Sequence, residues 1–124
     1  MKPKQELQNA IRELLENSGF FQNIRIRGNL DQENNNIDIE FRPNESMRLF
    51  HRALSRLEQT IDDIIKNYFY HGLGTAYTGP DEQKTYAIKI TRCPIEGMEH
   101  NTSEKFLEKL YNAISDKYFF KKNT

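Results

Sequence analysis

The hydrophobic period of this chain switches between 3.6 and 2, and that switching constrains the fold more than any single residue does. Leu7, Ala10, Ile11, Leu14 and Leu15 recur at helical spacing behind Pro3, a residue suited to a first helical turn. Gly19 offers a left-handed C-terminal cap with Phe20 placed to fold back on the last turn, so the spacing predicts a helix over residues 4 to 17. The period then becomes 2. Ile24 and Ile26 alternate with Arg25 and Arg27, and Ile37, Ile39 and Phe41 alternate with Asp38, Glu40 and Arg42. Two half-buried strands follow, joined by a polar loop through Asp31, Gln32, Glu33, Asn34 and Asn35. Pairing Ile26 with Ile39 sets Arg27 opposite Asp38 and Arg25 opposite Glu40. Each charge pair contributes only ~0.2–1 kcal/mol, but together they favour this register over a one-residue slip.

Residues 44 to 71 admit two readings. Met47, Phe50, Leu54, Leu57, Ile61, Ile64 and Tyr68 step by three and four, which makes one long helix capped by Asn44 and stopped at Gly72. The competing reading makes residues 47 to 54 a strand and starts a shorter helix at Thr60, with Asp63 completing a capping-box-like start. Periodicity favours the long helix. Gly72 and Gly74 break the pattern, and Gly79, Pro80 and Asp81 signal a turn. Tyr86, Ile88 and Ile90 alternate with Ala87, Lys89 and Thr91 as a strand, with residues 75 to 78 as its hairpin partner. Asn101 with Glu104 caps a last helix whose stripe is Phe106, Leu107, Leu110, Tyr111, Ile114 and Tyr118, before a frayed basic tail. The order α-β-β-α-β-β-α is an α+β, two-layer domain: a small antiparallel sheet with helices on one face.

At 124 residues the chain is expected to form a single domain, with neither a repeat nor an interdomain linker. Lys plus Arg and Asp plus Glu both count 18, a balance that argues against a general nucleic-acid binder and a polybasic membrane-surface protein. Eight Phe and six Tyr are too many aromatics for a disordered chain. No apolar run approaches the ~20 residues of a membrane span, and Met1 to Lys4 lead into no signal-peptide core. One cysteine, Cys93, excludes an internal disulfide and fits a reducing, cytoplasmic setting.

Few constellations carry chemistry. Gly72, Gly74 and the strand bearing Lys89 look like a kinase glycine loop with its lysine strand, but no metal-binding Asp or catalytic-loop Asp and Asn follow. Cys93, Glu96, Glu99 and His100 cluster in one loop without a second Cys or His, so a structural Cys among solvated carboxylates is the expectation. Asp38 and Glu40 alternate as nuclease carboxylates do, yet pairing with Arg27 and Arg25 accounts for them. Neither catalytic nor metal-ligating residues are assigned, and no cofactor is expected.

Two surfaces stand out. Six of eight arginines lie between Arg25 and Arg56, and Arg48, Arg52 and Arg56 form one helical ridge, with His51 beside it and Arg25, Arg27 and Arg42 on the sheet. Guanidinium groups so placed suit phosphates or carboxylates. Tyr68, Phe69, Tyr70 and His71 put aromatic rings right around one helix turn, and Phe119 and Phe120 repeat the pattern at the last helix, as contact surfaces do.

The run Ile64, Ile65, Lys66, Asn67, Tyr68, Phe69, the glycines after it, the strand ending at Ile90, and Pro94 to Met98 before the last helix resemble the class I chaperones of type III secretion, the Tir-chaperone family. The resemblance covers the chain mainly from Ile61 onward. It implies a cytoplasmic homodimer that holds a partner's segment extended against apolar patches, without catalysis. The first expectation is therefore a non-enzymatic protein-binding module using Tyr68, Phe69, Tyr70, Phe119 and Phe120. The second is a binder of nucleic acid or another anionic ligand using Arg25, Arg27, Arg48, Arg52 and Arg56.

Overall fold

The computed structural model describes residues 4–27, 36–65, 70–79, 84–92 and 102–116. Helix α1 (Lys4–Asn17) leads to strands β1 (Phe21–Arg27) and β2 (Asn36–Pro43), helix α2 (Met47–Ile65), strands β3 (Tyr70–Thr78) and β4 (Thr85–Arg92), and helix α3 (Thr102–Ile114). The four strands form one antiparallel sheet in the order β1-β2-β4-β3. Helix α1 packs on β1 and α3, and α2 on α3 and β3, which is the expected α+β arrangement.

Helix α1 ends as its glycine dictates. Gly19 has φ of +84°, and the amides of Ser18 and Gly19 donate to the carbonyls of Leu14 and Glu16, each at 3.1 Å. Leu7, Ile11, Leu15 and Phe20 are buried, whereas Ala10 and Leu14 are only partly covered.

Across the sheet the alternation predicts the faces. Ile37, Ile39, Phe41, Tyr86, Ile88 and Ile90 are buried, while Asp38, Glu40, Arg42, Ala87 and Lys89 between them are not. The register is the expected one: Ile26 pairs with Ile39, Arg25 with Glu40 and Arg27 with Asp38. The ion pair that forms is diagonal, from Arg27 Nε to Glu40 Oε1 at 3.5 Å, with Arg27 58% exposed. At such exposure it adds at most about 1 kcal/mol.

Helix α2 is helical from Met47, so no strand forms over residues 47 to 54. Its cap differs from expectation. The carbonyl of Ser46 accepts from the Phe50 amide at 2.9 Å and its Oγ from the Leu49 amide at 3.5 Å, so Ser46 is the cap. Asn44 instead donates its side-chain amide to the Gly19 carbonyl at 3.2 Å and its backbone amide to that of Phe20 at 3.0 Å. The helix also ends before Tyr70 rather than near Gly72, because Tyr70 already pairs with β4 opposite Arg92. Gly72 and Gly74 thus lie inside β3, opposite Thr91 and Lys89, rather than in a break.

Phe50, Ala53, Leu54, Leu57 and Ile61 bury the α2 stripe, and Met47, at 46%, is exposed. Phe50 joins Phe21, Phe41 and Tyr86 in an aromatic cluster with ring centroids 4.9 to 6.4 Å apart. Phe106, Leu107, Leu110 and Ile114 of α3 complete the core; Asn101 and Tyr118, also read as part of that helix, lie outside the described residues.

Candidate functional site

The sheet ends in two edges of opposite character, and the difference begins in sequence. In β1, Phe21 and Ile24 are both buried although three residues apart, which strict alternation forbids. A bulge reconciles them. Gln22 pairs with Arg42 and Arg25 with Glu40, so Asn23 and Ile24 together face Phe41. Asn23 takes φ of +54°, a left-handed conformation that asparagine tolerates better than most residues. With the bulge, Arg25 and Arg27 on its surface and α1 alongside, β1 carries several of the devices that discourage strand addition.

Beside the bulge lies an open cleft of about 490 Å³. Arg12 and Glu16 of α1, Asn23, Ile24 and Arg25 of β1, Glu40 and Arg42 of β2, and Thr85 of β4 line it. A smaller depression of about 290 Å³ continues along the same edge past Arg12, Arg25 and Arg27 to Gln5, Gln8 and Asn9. Arg42 Nε is buried without a hydrogen-bond partner among the described residues. Its neighbour Gln22 donates elsewhere, to the Pro43 carbonyl at 2.7 Å.

Strand β3 forms the other edge and hydrogen-bonds only to β4 among the described residues. It is the longest strand, nine residues, and reads Tyr70, His71, Gly72, Leu73, Gly74, Thr75, Ala76, Tyr77, Thr78. It contains neither proline nor Asp, Glu, Lys or Arg. Its one irregularity falls between Tyr70 and Gly72, leaving residues 72–78 as an unbroken ladder on β4.

The predicted residues are distributed accordingly. Arg25 and Arg27 sit at the bulged edge, but Arg48, Arg52 and Arg56 are exposed on α2 and line neither cleft, so the five do not form one site. Arg52 and Arg56 already interact within the protein. Tyr70 opens a strand instead of closing a helix, which corrects the picture of rings around one helix turn. Tyr68, Phe69, Phe119 and Phe120 lie outside the described residues, as do Cys93, Glu96, Glu99 and His100. Among the described residues no group of three or more His, Cys, Asp or Glu could hold a metal ion. Missed from sequence were Arg12 and the bulge; the paired apolar residues Phe21 and Ile24 were the signal of the bulge.

The class that fold and surface define is an α+β domain with a charged sheet face and, among the described residues, two unlike edges. No protein-family model, curated protein or solved structure matches the chain. No helix among the described residues is long and apolar enough to cross a membrane.

Proposed function

We propose that this protein is a non-enzymatic protein-binding module that self-associates through β3. The observation that carries the reading is the uncharged, proline-free edge of nine residues, beside a β1 edge that is bulged and charged. A strand edge presents a row of backbone donors and acceptors, and chains that must stay monomeric usually interrupt that row with charge, proline or a bulge. β3 interrupts it only at its first residues. A second copy is the occupant proposed. Antiparallel pairing of β3 with its twin about a two-fold axis satisfies both edges at once and closes the assembly. The element order, with a helix, a hairpin and a final amphipathic helix, supports a secretion-chaperone-like role, for which a homodimer is a requirement. The Arg48, Arg52 and Arg56 ridge supplies no second reading, since Arg52 and Arg56 have partners within the protein.

Light-scattering mass at low and high salt tests the proposal. The expected mass is twice 14.7 kDa at both, because a backbone ladder is not screened as surface charges are. Ala76 pairs with Ala87, which alternates with the buried Tyr86 and Ile88. Ala76→Lys should convert the dimer to a folded monomer, read as half the mass with an unchanged far-UV circular dichroism spectrum. A monomeric parent protein, or a variant that stays dimeric, would remove the β3 edge from the function.

A further inference from the structure

At the bulged edge the fold gathers guanidinium groups from three separate elements, Arg12 of α1, Arg25 of β1 and Arg42 of β2, around one cleft of about 490 Å³. We propose that this cleft binds the phosphate monoester of a small, hydroxyl-bearing molecule. The inference is independent of β3 and of self-association.

Like charges do not collect without cause. Arg12, Arg25 and Arg42 form no ion pair among the described residues, and the nearest carboxylates are only partly available to them. Glu40 already pairs with Arg27 at 3.5 Å, which leaves Glu16 as the other acid on the cleft wall. Arg42 adds a sharper demand, because its buried Nε lacks an acceptor among the described residues. A donor withdrawn from water without a partner is costly, so the Arg42 side chain gains by turning its guanidinium toward an oxyanion in the cleft it lines.

The same wall selects the ligand class. A monocarboxylate competes poorly with two resident carboxylates, whereas a phosphate dianion brings twice the charge and can engage more than one guanidinium fork. Glu16 and Glu40 then serve as acceptors for ligand hydroxyls, with the Asn23 amide and the Thr85 hydroxyl beside them. The volume falls in the range of small-molecule sites, roughly 300–1,000 Å³. No aromatic ring among the described residues lines the cleft, which disfavours a stacked nucleic-acid strand.

The test is a titration of the full-length protein, followed by amide NMR, with ribose 5-phosphate and separately with inorganic phosphate. Saturable shifts at Asn23, Arg25 and Arg42 with ribose 5-phosphate, tighter than with inorganic phosphate, are expected. Arg42→Gln and Arg12→Gln should each weaken binding by roughly ten-fold, the loss of one charge-assisted hydrogen bond. Glu16→Gln removes a negative charge yet keeps an oxygen that accepts from a ligand hydroxyl, so it should tighten binding, and Arg52→Gln, at a residue that lines neither cleft, should leave it unchanged. Arg12 is exposed, so its variant reports on binding even if Arg42→Gln disturbs the fold. No saturable shift with either probe overturns the proposal. So does an affinity lowered equally by Arg52→Gln, or binding of a single-stranded oligonucleotide without binding of ribose 5-phosphate. Equal affinity for both probes overturns the hydroxyl-bearing ligand.

Discussion

Two residues with positive φ place the chain where side-chain pattern alone would not. Gly19, at +84°, turns it from α1 into β1, and an added Cβ there would meet nothing within 4 Å. The cost of Gly19→Ala is therefore conformational rather than steric, about 1–2 kcal/mol, and thermal unfolding should begin a few degrees lower. An unchanged melting midpoint would mean that the turn relaxes freely. Asn23 does the corresponding work inside β1, and its two contexts differ in how visible they are. A glycine after a run of helical spacing announces a cap, and that much was legible. Asn23 stands between Gln22 and Ile24, with only the misfit between Phe21 and Ile24 to mark the bulge.

Helix α2 shows how an element takes its bounds from what it touches. Its stripe over residues 50 to 61 was readable because apolar spacing of three and four has one helical solution, and those residues are the ones buried. Both ends were set elsewhere. At the start Asn44 is drawn to the carbonyls that end α1, leaving Ser46 to cap. At the far end, pairing of Tyr70 with β4 competes with a further helical turn. The stripe is also unequal along its length. Phe50 sits among three aromatic rings with no exposed surface, whereas Met47 is 46% exposed. Phe50→Ala should cost about 3–5 kcal/mol and Met47→Ala less than about 0.5, measured by urea unfolding. Comparable losses would mean that the cluster does not anchor α2.

At the scale of the whole molecule the charges cancel, with an isoelectric point near 6.8. Near neutral pH the protein therefore lacks the net repulsion that keeps proteins apart, and nonspecific association is greatest there. Light scattering at pH 7 and at pH 9 separates the two kinds of association. A dimer held by β3 should persist at both values, while scattering that falls to the monomer mass at pH 9 would identify it as isoelectric clustering.

By itself the sequence determined the periods, and with them the elements, their order, the buried faces and the pairing of β1 with β2. Each of these follows from residues close together in the chain, or from apolar residues that must all reach one side of a sheet. Tertiary structure alone decided the strand order that leaves β1 and β3 as edges. It also brought Arg12, Arg25, Arg42 and Thr85 around one cleft and separated Arg25 and Arg27 from the ridge on α2. Those outcomes join residues up to 73 positions apart, from Arg12 to Thr85, and local spacing carries no information about such distances. Packing three helices on one sheet face is what fixes them.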